Sequence, residues 1–441
     1  MSNASSKFFA CFFAFIIFFY AGVDVSAKVY IDIDSPSFQK FPIAIPDFDK
    51  KGKDLHTEDL SIWFPNALTN YLTMTGFFNI ISKRAFLEGQ HRTETPDERI
   101  DFDSWTVIGA EYLVKGRYEH AGGKLITDFR LYDVVRGDLV VGKQYAGNVE
   151  QKNDMVRQFA REILFALTGD GSVFDTKIAF VVKTARASDI YVIDIDGSNL
   201  VRVTNERSIT LSPRWSPDGQ YMSYTSYKDG NPDLYVRSLN GASTKKIAGF
   251  RGINLSGTWA QDGRRILLTS RKDGNEEIYV MDIHTGFFER LTHHFSIDVS
   301  AAWSPDNQKI TFVSDRSGSP QIYLMDADGS NVKRLTYDGN YNTSPSWSPR
   351  GKRITYEGLV NGRFQLFSID EDGAQNVQLT FDNADHESPT WSPDGRYLAF
   401  DLRQGGRSGI YVMNANGSNV RLLYEEKNRS VTPSWSPRLK R

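Results

Sequence analysis

Between residues 178 and 435 apolar and polar positions alternate in short runs, and the whole pattern recurs every 44 residues. Trp215, Trp259, Trp303, Trp347, Trp391 and Trp435 mark one register, in contexts such as RWSPDG, AWSPDN and SWSPRG. Tyr191, Tyr235, Tyr279, Tyr323, Phe367 and Tyr411 mark a second, within IYVID- and IYVMD-like runs. Phe180, Tyr224, Leu268, Phe312, Tyr356 and Phe400 mark a third. No insertion or deletion interrupts the array. Runs rich in β-branched and aromatic residues, separated by Gly, Asn, Asp and Pro, read as strands and turns. A repeat of about this length, built from four such runs, predicts the blades of a WD40-like propeller.

The unit around Trp347 shows the expected division. Ser344 to Trp347, Arg353 to Glu357, Phe364 to Ile369 and Val377 to Thr380 are four strands, with Asp372-Gly373 as a hairpin turn. The first strand of the array, Ile178 to Val182, matches the second strand of a unit, and no tryptophan strand precedes it. Val431 to Trp435 supplies a tryptophan strand without the three that should follow. Pairing the two completes a sixth blade and removes two open sheet edges. The expected class is therefore an α/β N-terminal domain followed by an all-β six-bladed propeller, with the C-terminal strand closing the first blade.

Residues 28–170 carry a different pattern, and residues 171–441 hold the propeller. Phe41 to Phe48 reads as a buried strand. Leu60, Phe64, Leu68, Tyr71 and Leu72 fall on one helical face that Gly76 can cap, with Pro65 either starting or kinking the helix. Glu111 to His120, Lys124 to Val134 and Leu139 to Gln144 form a meander, and Val156, Phe159, Ala160, Ile163, Leu164 and Leu167 a second amphipathic helix. Gly169 to Ser172 reads as a linker.

The first 27 residues differ again. Lys7, an apolar run from Phe8 to Tyr20, and the small residues at Val25-Ser26-Ala27 match a cleaved secretory signal, and the run is short for a membrane span. The single cysteine, Cys11, lies inside that segment, so the mature chain is expected to be held by its core alone. A formal net charge of −2 and the lack of a basic tract argue against nucleic acid, and Arg438, Lys440 and Arg441 read as a solvated tail.

Candidate chemistry is sparse. The tryptophan motif recurs in every unit, as packing requires and a single active site does not. Asp194-Ile195-Asp196-Gly197, Asp326-Ala327-Asp328-Gly329 and Asp370-Glu371-Asp372-Gly373 resemble calcium loops, but their glycine stands at the fourth place and equivalent units lose the carboxylates, so hairpin turns are expected. The seven histidines form no HExxH pair. No nucleophile elbow, P-loop or dinucleotide fingerprint occurs, and Gly406-Arg407-Ser408-Gly409-Ile410 lacks the last glycine of the elbow. No cofactor and no metal is therefore expected. The segments joining one unit to the next keep their length while their side chains vary, which is where a rigid scaffold carries binding function.

Signal segment, α/β domain and six WSPDG/IYVMD repeats together resemble the TolB family, periplasmic components of the Tol–Pal system. FPIAIPDF, TGFFNIISKRAFLE and the terminal SWSP carry the resemblance, and TWAQDG in one unit departs from it by losing a proline. It implies a non-enzymatic, monomeric binding scaffold of the periplasm, touching membranes only through partners. It implies that one propeller face docks the peptidoglycan-associated lipoprotein Pal, and that the mature N-terminal segment engages TolA. It also implies a part in outer-membrane integrity and in invagination during division. On this chain the TolA segment would be Lys28, Val29, Tyr30, Ile31, Asp32 and Ile33, whose alternation equally suits an edge strand of the front domain. For the Pal face the expected residues are Arg251, Asn254, Asp298, Tyr341, Asn342, Asp385, His386 and Glu387, in the joining segments. Two other readings stay open at this point: an exported propeller that binds a glycan or peptide, and a propeller enzyme with an unrecognised site.

Overall fold

A computed structural model describes residues 39–51, 59–87, 100–241 and 243–439. The expected signal segment and Lys28 to Ile33 lie outside the described residues.

The front domain is a six-stranded sheet. Its strands are β1 (Phe41–Ala44), β2 (Asp49–Lys51), β3 (Phe78–Ile80), β4 (Tyr112–Ala121), β5 (Lys124–Asp133) and β6 (Asp138–Gly147), in the order β3-β1-β4-β5-β6, with β2 pairing further along β4. Of the expected strand from Phe41 to Phe48, only Phe41–Ala44 pairs as β1; the chain leaves the sheet around Pro46, and β2 begins at Asp49. Helices α1 (Leu60–Thr75) and α3 (Lys152–Thr168) cover one face, where Phe129 meets Phe64 at 5.3 Å and Phe159 at 5.4 Å between ring centres. A short helix, α2 (Phe102–Val107), covers a smaller cluster around Trp105 and Phe86.

Pro65 neither starts nor ends α1. Asp59 caps the helix by accepting the Ser61 N–H, and the helix runs through the proline. A proline has no N–H to give to the carbonyl four residues back. Here that carbonyl, on Ser61, accepts the Phe48 N–H at 3.0 Å instead. The proline thereby ties α1 to the chain between β1 and β2.

The repeats form six four-stranded sheets. Inner strands Thr210–Trp215, Asn254–Trp259, Asp298–Trp303, Asn342–Trp347, Asp385–Trp391 and Arg429–Trp435 line a central channel. The second and third registers meet directly across neighbouring strands: Phe180 faces Tyr191, Tyr224 faces Tyr235, and Phe400 faces Tyr411. The tryptophan register faces the apolar residue that opens the next strand, as Trp347 faces Ile354. In the WSPDG turns the serine hydroxyl and aspartate lock the loop. Ser216 Oγ donates to Asp218 Oδ1 at 2.5 Å and accepts the Tyr221 N–H at 2.9 Å. The turn at Asp326-Ala327-Asp328-Gly329 likewise uses its carboxylates internally. Asp326 accepts Asn331 Nδ2, and Asp328 accepts the Ser330 N–H and hydroxyl.

The closing blade has the expected construction. Arg429–Trp435 pairs antiparallel with Lys177–Lys183, from Arg429 opposite Lys183 to Trp435 opposite Ile178. Trp435 Nε1 donates to Thr176 Oγ1 at 2.9 Å, and the Lys177 and Ser436 residues exchange two further bonds. The clasp continues beyond the tryptophan: the Leu439 N–H reaches Asp175 O at 3.0 Å and Arg438 pairs with Asp170 at 2.7 Å. Arg438 is therefore part of the closure and not a free tail. Lys440 and Arg441 lie outside the described residues.

A candidate partner-binding face

A propeller has two ends. One carries the turns between first and second strands and between third and outer strands, and here the front domain is fastened to that end. Tyr71 Oη donates to Asp196 at 2.5 Å, Tyr397 Oη donates to Thr75 O at 3.0 Å, and Asn419 Nδ2 donates to Met74 O at 3.4 Å. Buried Arg157 pairs with Asp194 at 3.3 Å, and Arg396 binds Thr168 at the end of α3 and Asp170 in the segment expected as a linker. Gly76, which caps α1 at φ +73°, lies so close to Asn414 that a Cβ would stand 2.7 Å from its Nδ2. One apolar cluster runs from Phe64 and Phe159 through Phe174 to Tyr397 and Trp435. Desolvation, followed by the bond to Asp196, drives the Tyr71 hydroxyl well above its ordinary pKa, so it stays a donor.

The opposite end carries the segments that enter each inner strand and the loops joining second to third strands. It displays large apolar side chains. Phe295 is 89% exposed, Phe381 76% and Tyr337 72%, and Ile209, Ile297 and Tyr341 are exposed beside them. All six belong to the joining segments. Single exposed apolar residues are ordinary on a protein surface, but several on the loops of one end make that end a candidate interaction surface. Arg207 and Arg251 are exposed on the same end.

Of the eight residues expected to contact a partner here, Arg251 and Tyr341 are exposed. Glu387 is partly covered and pairs with Arg429 at 3.3 Å. The structure corrects the other five. Asn254, Asp298, Asn342, Asp385 and His386 are all at most 4% exposed. Asn254 Nδ2 donates to Phe250 O and Pro232 O, closing its own loop on the previous blade. Asn342 does the same through Asp338 O and Gln321. Asp298 is held by Arg316 at 2.7 Å, and Asp385 by Arg403 and Arg363. His386 packs on Phe400, and burial lowers its pKa, so the imidazole is neutral at neutral pH. Their variation from blade to blade reflects different ways of closing one loop and is not a sign of exposure.

Sequence reasoning missed two buried carboxyl groups near this end. Glu357 accepts the Ser388 N–H at 2.6 Å, and Asp401 accepts the Thr432 N–H at 3.0 Å, each bonding the next blade's inner strand. Thr225 plays this role toward Ser256. Burial pushes the pKa of Glu357 up to about 8 and that of Asp401 up to about 7. Burial, then Arg429, lowers that of Lys183. The signal was present in the repeat: the same register holds Val181, Thr225, Thr269 and Val313 in the other blades. Among the described residues no group of three or more His, Cys, Asp or Glu gathers as a metal site. No helix among them is long and apolar enough to cross a membrane.

Two family matches cover this architecture. The TolB beta propeller domain matches residues 165–439, and the TolB amino-terminal domain matches residues 29–140. The chain belongs to the TolB family. It is similar to the Tol-Pal system protein TolB of Syntrophus aciditrophicus, 51% identical over 212 residues, 47% of each chain. It is also similar to that of Desulfosudis oleivorans, 38% identical over 203 residues, 46% of each. The chain spans about half the length of the curated relatives it matches. The crystal structure of TolB from Acinetobacter baumannii superposes with a TM-score of 0.78 at 27% identity, over 90% of this chain and 97% of that one. A six-bladed propeller behind an α/β domain is thus the TolB architecture.

Proposed function

We propose that this chain is a non-enzymatic, periplasmic scaffold of the Tol–Pal system, and that its free propeller face docks Pal. The observation that carries the reading is the cluster of exposed Phe295, Tyr337, Tyr341 and Phe381 on loops held rigid by the buried network beneath them. Aromatic side chains on a pre-formed surface give contact area with little entropy to lose. Arg251 and Arg207 supply charge at the rim. The mature N-terminal segment, Lys28 to Ile33, engages TolA by adding a strand to that partner's sheet, and the chain supports outer-membrane integrity and invagination during division. Its relatives' names support the system, and the family's two-domain architecture supports the division of roles.

The test is calorimetric titration of residues 28–441 with the peptidoglycan-binding domain of Pal from the same organism. Saturable one-to-one binding is expected, and Phe295→Ala, Tyr337→Ala and Phe381→Ala together should weaken it by at least tenfold while leaving thermal unfolding unchanged. Unchanged affinity in the triple variant would move the docking site to another surface. Absence of binding by the parent chain would leave the family fold without this partner and turn the search to glycan and peptide ligands.

A further inference from the structure

Arg214 breaks the symmetry of the channel. It lies on the inner strand Thr210–Trp215, at the place where the other blades carry Thr258, Ala302, Ser346, Thr390 and Ser434. All six line a central cavity of about 750 Å³. Among the described lining residues Arg214 is the one charged side chain; hydroxyls, prolines and indoles make up most of the rest. A bulge precedes it. The pairing with the neighbouring strand skips from Leu211 to Arg214, and Ser212 sits at φ 52°. Such a bulge re-aims the side chain that follows it.

The guanidinium is poorly neutralised. Its one described hydrogen bond runs from Nη1 to the adjacent Pro213 carbonyl at 3.0 Å. Four further N–H donors are left for other acceptors. Burial alone shifts its pKa, down to about 10, and no described carboxylate pairs with it. It is therefore a cation at neutral pH. A charge half withdrawn from solvent without a partner carries a cost, and a bound counter-charge relieves it. The cavity is of a size that small ligands occupy. Thr258, Thr390 and Ser346 line the same cavity; the Thr258 and Thr390 hydroxyls accept a neighbouring backbone N–H, and each hydroxyl keeps one proton to donate to an anion.

We propose that the propeller channel binds a small oxyanion, a carboxylate or phosphate group, with Arg214 as its charged anchor. The site is separate from the docking face and stands whether or not Pal binds there. Six of the eight tryptophans, Trp215 to Trp435 in the repeat, line the cavity, so their fluorescence reports its occupancy.

The experiment titrates residues 28–441 with inorganic phosphate and with acetate, against chloride at matched ionic strength, following tryptophan emission and thermal unfolding. A saturable response to phosphate or acetate, exceeding that to chloride, is expected. Arg214→Ser restores the residue type found in two other blades. It should weaken the response at least tenfold while unfolding, in anion-poor buffer, at or above the parent's temperature. Arg214→Lys keeps the charge and should retain part of the response. A parent response no greater than that to chloride, or an Arg214→Ser response equal to the parent's, would overturn the proposal. The parent comparison decides the matter even if Arg214→Ser proves unstable.

Discussion

Glu357→Gln should stabilise the protein near neutral pH, and the gain should itself depend on pH. Glu357 is buried between two blades, and its pKa is raised from 4.5 to about 8. In the unfolded chain the carboxyl ionises near 4.5, whereas in the fold it holds its proton up to about pH 8. A group whose folded pKa is raised contributes its full stability below the unfolded value and loses it as pH rises through the folded one. At pH 7 the fold must therefore retain a proton that the unfolded chain has released, across 2.5 pH units, at a cost of about 3 kcal/mol. Glutamine keeps an oxygen for the Ser388 N–H, now 2.6 Å from the carboxyl, and has no proton to hold. Urea unfolding of parent and variant at half-unit steps from pH 4 to 8.5 checks this. The stability difference should start near zero or slightly against the variant at pH 4. It should then grow toward the variant by about 1.4 kcal/mol per pH unit until it levels near pH 8. Titrating groups other than Asp401 and Glu387, whose charges act on Glu357, cancel in the comparison. A difference that stays flat with pH would refute the reasoning, because Glu357 would then have the same proton occupancy folded and unfolded.

Other substitutions probe the remaining joints. Trp435→Ala removes the indole that closes the ring against Ile178 and Thr176 and should cost about 3–5 kcal/mol in urea unfolding, with loss of a single sharp transition. A loss below 1 kcal/mol would mean that the clasp does not hold the array. Tyr71→Phe deletes the hydrogen bond to the Asp196 carboxylate between front domain and propeller and should cost about 2 kcal/mol, read in the same assay. A neutral result would show that the apolar cluster alone fastens the two. Asn342→Ala should lower stability by about 1–3 kcal/mol through the Asp338 carbonyl it leaves unpaired and the bond it removes from Gln321, which keeps only Thr336 on that oxygen. It should reach Pal affinity only by loosening the Tyr341 loop, so affinity that falls without any loss of stability would instead place Asn342 in the contact.

The repeat made the propeller legible because one packing problem is solved six times. The tryptophan, tyrosine and phenylalanine registers fall on inner and central strands where the same neighbours recur, and the unmatched strands at 178–182 and 431–435 had no partner but each other. The front domain was legible where periodicity was strong, as in α3 and the meander of β4 to β6. It was less so around Pro46 and Pro65. A proline in a helix signals a break when read alone. The Phe48 N–H that satisfies the Ser61 carbonyl comes from the segment between β1 and β2, whose approach to α1 the sequence does not reveal. The site was legible to the level of loops but not side chains. Asn254, Asp298, Asn342 and His386 occupy one register and look like variable surface residues, yet each lies buried at the start of an inner strand, Asn254 and Asn342 closing the loop before them, Asp298 paired with Arg316 and His386 packed on Phe400. Exposure falls instead on Phe295, Tyr337 and Phe381, apolar residues that composition would place in a core. The most informative departures were residues that break the register chemically, Arg214 in the channel and Glu357 and Asp401 between blades.

We propose the end of the propeller facing away from the front domain as the docking surface. Hydrogen exchange of residues 28–441, alone and with Pal's peptidoglycan-binding domain, measures it directly. The account predicts slowed exchange in the joining segments around residues 205–209, 249–253, 293–297, 337–341 and 381–384, with the tryptophan turns unchanged. Protection confined to the turns or to the front domain, with those segments exchanging as before, would contradict it.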